Sequence, residues 1–226
     1  MKDKLLRKIG NTIICNLRNT DDIGLFHGKM GTCMFLYGYS LYEENAEYKQ
    51  FADNLFSDIN VINKNSMTSD IANGYGGIGV GMCWLFQHHR PDNEIQDLLK
   101  QYDQLLLNEV DKSMQSDLLY NSPYLSSSVY WLWRSPLYES SEREAWHKKI
   151  SEAEKEFEKK KVKNIAMHIS TNSDSFWWDF VLKRRTRIDL DAYDKLIHQW
   201  QNNYIYEMPT INGFLSSLGL HLLQIK

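Results

Sequence analysis

"IGLFHGKMGTCMFLYGYS" runs from Ile23 to Ser40, and "IANGYGGIGVGMCWLFQH" runs from Ile71 to His88. In both, a glycine turn opens straight into an apolar stretch whose first two turns are rich in small residues. Small side chains at the start of a helix let it approach its neighbours closely around a crowded centre. Gly28 and Gly74 are 46 residues apart, room for one complete helical hairpin, and a third phrase, "INGFLSSLGLHLLQIK", begins at Ile211. Self-similarity at such a period marks a repeat protein.

Carried forward, the period lands on two degenerate copies. "LYNSPYLSSSVYWLWRS" from Leu119 keeps the turn, the small run Ser126 to Ser128 and the aromatic tail, but replaces the glycines. "ISTNSDSFWWDFVLKRR" from Ile169 does the same with Ser173, Ser175, Trp177 and Trp178. Between the phrases, Met1 to Arg18, Glu44 to Val61, Asn93 to Val110, Glu142 to Lys161 and Leu190 to Tyr204 show helical apolar period with charged outer faces. The pattern predicts an all-α chain of ten helices in five outer–inner pairs, with Glu142 to Lys161 the most solvated of them.

At 226 residues, 42% hydrophobic and 24% charged, the chain has material for one sizeable core and no low-complexity linker, so residues 1–226 read as a single domain. The net charge is −3, and Lys and Arg are dispersed apart from Lys159 to Lys161 and Lys183 to Arg185. A duplex-binding protein shows a coherent basic face, so nucleic acid is not an expected partner. The N-terminal stretch is interrupted by polar residues, and no apolar run approaches the ~20 residues that span a bilayer, so neither a signal peptide nor a membrane is expected. Cys15, Cys33 and Cys83 are odd in number and lack CxxC spacing, which fits reduced thiols in a cytoplasmic protein. Cys33 and Cys83 sit in apolar inner-helix stretches and read as small buried hydrophobes.

The phrase "GLFHGKMG", followed one repeat later by "NGYGGIG", resembles the inner-helix signature of the lanthionine synthetase C-like family. The resemblance is closest over Ile23 to Tyr39 and Ile71 to Gln87, fair over Ile211 to Leu223 and only periodic elsewhere. It implies an α/α toroid, here a barrel or open arc of about five helical hairpins, where full members close a ring from seven. An open arc exposes apolar inner-helix flanks, and such surfaces usually meet a partner. The family's cyclases add a peptide cysteine to a dehydrated serine or threonine, with zinc holding and activating the sulfur. The resemblance places one Cys-His ligand pair directly before the first glycine of a G-x-x-G turn, and another cysteine two residues before the first glycine of a neighbouring turn. Those positions carry Phe26 and His27 in one turn and Ala72 in the other. Only His27 survives, so no metal and no cofactor are expected.

What remains at the inner-helix heads is polar and aromatic. His27, Tyr75, Tyr124, Asn172 and Asp174 form the expected binding set, while Asn121, Asn172 and Asn212, each taken individually, also read as ordinary N-caps. Helix N-termini brought to one end carry partial positive charge and unused N–H groups, which suit a carboxylate or an extended peptide. A family member without zinc ligands reads as an accessory protein that binds a peptide or a peptide-modifying enzyme during ribosomal peptide maturation, with a homo-oligomer also open. The alternative is a zinc-independent enzyme with His27 as catalytic acid or base. A third reading, a glycosidase-like α/α barrel, rests on Asp174 and Asp179 beside Trp177 and Trp178. Five residues of separation keeps that acid pair from sharing a helix face.

Overall fold

The computed structural model describes residues 1–19, 22–60, 67–89, 93–115, 123–138, 140–159, 175–183, 190–202 and 211–224. Among these residues there is no strand and there are ten α-helices. They are α1 (Lys2–Asn16), α2 (Lys29–Tyr42), α3 (Ala46–Asn60), α4 (Tyr75–His88), α5 (Asn93–Gln115), α6 (Pro123–Arg134), α7 (Ser140–Lys159), α8 (Ser175–Val181), α9 (Leu190–Asn202) and α10 (Ile211–Gln224). The order is the expected alternation of outer and inner helices. The fold is all-α and built from helical hairpins. The chain groups into two compact units, Met1–Asn63 with Thr171–Lys226, and Lys64–Ser170.

In the first unit α2 and α10 form the centre. Ten of the fourteen residues of α2 are buried, from Met30 to Ser40, while α1 buries one stripe, including Leu5, Leu6, Ile9 and Ile13. That contrast is the difference between a helix packed all round and one with a solvated face. Gly213 of α10 lies beside Phe26 and His27, Ser216 Oγ lies 3.4 Å from Thr32 Oγ1, and Gly219 lies against Phe35. The rising residue numbers on both sides show that α2 and α10 run parallel. The outer helices run the other way: Asn212 Nδ2 at the head of α10 donates to Asn16 O at the end of α1, 3.1 Å. Lys29 at the head of α2 likewise pairs with Asp58 near the end of α3, 2.7 Å.

The second unit repeats the scheme. In α4 every residue from Tyr75 to Leu85 is buried, and the pairs Gly76–Ser126 and Gly79–Tyr130 show α4 and α6 running parallel. A Cβ at Gly79 would come within 2.8 Å of the Tyr130 ring. Glycine in mid-helix costs about 1 kcal/mol relative to alanine, and here it admits an aromatic ring close to the helix backbone. Antiparallel α5 contributes Asp103, which forms a buried knot. Arg134 Nη2 donates to Asp103 Oδ2 at 2.9 Å and Tyr130 Oη donates to Asp103 Oδ1 at 2.6 Å, while the guanidinium lies 3.9 Å from the Tyr138 ring centroid. With both charges hydrogen-bonded the pair is tolerable; removing either partner would cost about 3–5 kcal/mol. The charged helix α7 reaches the core through Trp146 and Ile150. Trp146 stacks on Trp131 with ring centroids 5.3 Å apart.

Candidate functional site at the inner-helix turns

Gly28 and Gly74 are the residues immediately before α2 and α4, with nearly equal extended backbones, φ −112° and −99°. Lys29 N donates to Asp22 O at 2.8 Å, and Tyr75 N donates to Thr68 O at 2.9 Å. Shifted by the repeat period these are the same bond. The space around the two glycines matches as well. A Cβ on Gly28 would meet Gly24 N, Asp22 O and Gly24 O at 2.4–2.7 Å, and one on Gly74 would meet Asp70 N, Thr68 O and Asp70 O at 2.2–2.7 Å. Those three neighbours correspond atom for atom. The glycine requirement therefore comes from backbone crowding and not from left-handed φ.

These turns also occupy the helix heads. Met30 N donates to Ile23 O and Gly24 O, and Gly77 N donates to Asp70 O. The expectation of unused N–H groups at the heads of α2 and α4 is corrected to this extent: Lys29, Met30, Tyr75 and Gly77 already donate to their own turn. What these heads offer beyond that is set by their side chains.

His27 is half-buried, and its ring meets the edge of Phe26. Tyr75 is 5% exposed. Its phenol is pushed well above the usual tyrosine range, first by burial and then by the nearby charge of Glu109. It stays protonated and serves as a neutral hydrogen-bonding group, not as a base. His27 belongs to the first unit and Tyr75 to the second. Tyr124 falls in the first turn of α6, but its side chain lies outside the described residues, as do Asn172 and Asp174 altogether. Asn212 is not the residue before its helix: it lies within α10, 1% exposed, and ties α10 to α1. Cys33 and Cys83 are buried and Cys15 is exposed.

Two residues escaped the sequence reading. Glu109 sits among the charges of an outer helix and reads there as part of a solvated face, while its partnership with Tyr75 depends on the α4–α5 packing. Trp178 reads as core with Trp177. In the structure Trp177 is fully buried, whereas Trp178 is half-buried against the edge of Phe26, ring centroids 5.2 Å apart.

The model of the lanthionine synthetase C-like proteins matches residues 2–131, from α1 through most of α6. The chain belongs to the lanthionine synthetase C-like family. No curated protein and no solved structure matches it. The family's α/α toroid fold class agrees with the all-α hairpins seen in both units. Its zinc chemistry finds a poor donor set here. The position expected to carry a thiolate holds Phe26, 1% exposed and stacked on Trp177, and the position for the second cysteine holds Ala72. Buried Cys33 directs its thiol to Ala52 O, 3.4 Å away on α3. Among the described residues no three His, Cys, Asp or Glu side chains are grouped to hold a metal ion. A zinc site needs four donors, or three and a water, and the described residues do not fit the metal.

Proposed function

We propose that this chain is a zinc-less lanthionine synthetase C-like protein that acts as an accessory factor in ribosomal peptide maturation, holding a peptide or the enzyme that modifies it. The observation that carries the reading is Phe26, a buried ring where the family resemblance calls for a thiolate. A pseudoenzyme keeps the family's hairpin scaffold and loses the group that activates sulfur. The proposed contact residues are His27, Asn172 and Asp174 in the first unit and Tyr75 and Tyr124 in the second, and aromatic and polar side chains of this kind can hold a peptide without catalysis. The proposed setting is the cytoplasm. Three free cysteines support it, and no described helix is long and apolar enough to cross a membrane.

The test is to search the neighbouring genes for a precursor peptide and to titrate any such peptide calorimetrically, with mass spectrometry to detect any cyclised product. His27→Ala is expected to change the affinity by less than about tenfold, or ~1.4 kcal/mol. Tyr75→Ala combined with Tyr124→Ala is expected to weaken binding further, with circular dichroism confirming that the variant is folded. Loss of a product-forming reaction in His27→Ala, with binding intact, would replace this reading with that of a zinc-independent enzyme.

A further inference from the structure

Three helix heads of the first unit meet at Phe26. Its ring lies parallel to the Trp177 indole of α8, 10° between planes and 5.8 Å between centroids. Trp177 is fully buried, and its Nε1 donates to Gly213 O of α10 at 2.9 Å. The same indole covers Gly31 of α2, where a Cβ would come within 2.5 Å of Cζ2. Gly213 is equally tight: a Cβ there would lie 2.0 Å from Phe26 O and 2.6 Å from His27 Cα.

We propose that the Phe26–Trp177 stack is the structural tie of this turn, fixing α2 against α8 and α10 by packing as a coordinated metal would by its bonds, and that it shuts metal out of the position beside His27. The argument is one of donors and space. An indole N–H can donate a hydrogen bond but has no lone pair for a metal, and Nε1 is already committed to Gly213 O. Phe26 supplies only carbon. Zinc would need sulfur at about 2.3 Å or nitrogen at about 2.0 Å, and next to His27 the chain places two stacked rings instead.

The proposal holds or falls independently of whether a peptide binds, because it is tested on the purified chain alone. Thermal unfolding is followed with EDTA and with added zinc, alongside elemental analysis, for the wild type, Trp177→Phe, Trp177→Ala and Phe26→Cys. The wild-type midpoint is expected to respond to neither chelator nor zinc. Trp177→Ala should lower it by roughly 6–20 °C, from the usual cost of truncating a buried aromatic. Trp177→Phe keeps a ring in the stack and loses only the N–H bond, so it should fall less than half as far. Phe26→Cys restores a thiol directly before His27, yet it should lose stability that zinc does not return. One zinc per wild-type chain, a midpoint lowered by EDTA, recovery of Phe26→Cys by zinc, or a Trp177→Ala midpoint equal to the wild type would each overturn the proposal. If Trp177→Ala gives no folded protein, Trp177→Phe and Phe26→Cys still decide it.

Discussion

The turns before α2 and α4 have the same backbone and different side chains. Each glycine faces the same three backbone atoms of its own turn, and each helix opens with the same hydrogen bond from its first N–H. Yet the residues around those glycines read Phe26, His27 and Lys29 in one turn and Ala72, Asn73 and Tyr75 in the other. The first residues of the two helices even meet unlike surroundings: Lys29 forms an ion pair with exposed Asp58, and Tyr75 is buried with the charge of Glu109 nearby. The turn is thus a scaffold whose geometry is set by backbone crowding, and the chemistry offered at each helix head is free to vary upon it.

If the two scaffolds are equivalent, Gly28→Ala and Gly74→Ala should cost similar amounts. Each added methyl would meet backbone atoms that cannot swing aside, so about 3 kcal/mol is expected for both, at the upper end for overpacking. Urea unfolding of the two variants measures this, and a large loss at only one site would break the equivalence.

Side-chain replacement at the first helical residue should separate the turns instead. Tyr75→Phe removes a buried hydroxyl that has the charge of Glu109 nearby and is expected to change stability by about 1–2 kcal/mol. Lys29→Met breaks an ion pair whose Asp58 side chain is 56% exposed, worth less than about 1 kcal/mol in solvent. Equal losses in denaturant titrations would show that burial does not distinguish the two heads.

The far ends of the same helices supply the smallest contrast. Burial, and then the charge of His88, push His89 down from 6.5 to about 4 at the end of α4, while α2 ends on Tyr42 followed by Glu43 and Glu44. A base held below its unfolded value takes up its proton later in the folded state than in the unfolded one. Its contribution to stability is therefore fully present above pH 6.5, and is lost as pH falls from 6.5 through about 4. His89→Gln should flatten the decline in stability between about pH 7 and about pH 5. An unchanged slope would remove His89 from the account.

Much of this was legible beforehand. The apolar period placed all ten helices, and the heads of α2 and α4 fell at the quoted glycines, since steric demand for a missing Cβ is a local property of the turn. The central place of α4 was readable from its glycines and small residues. The polar set was less legible. Asn212 has the composition of a cap and the job of an inter-helix tie. At the heads of α2 and α4 the N–H groups of Lys29, Met30, Tyr75 and Gly77, read as unused, are occupied by carbonyls only a few residues upstream, a pairing that depends on how the turn folds back on itself.

By itself the sequence determined the period, the alternation of solvated outer and apolar inner helices, the places where glycine is obligatory, and the loss of both cysteines expected for zinc. These follow from side-chain type and spacing along a short segment. The tertiary structure alone decided what fills the space those cysteines left. Phe26 in a turn carries no local signal that it will be buried, and Trp177 none that its indole will lie over Gly31 and donate to Gly213 O. Such contacts join residues far apart in the chain, and their geometry is set by close packing of whole helices against one another.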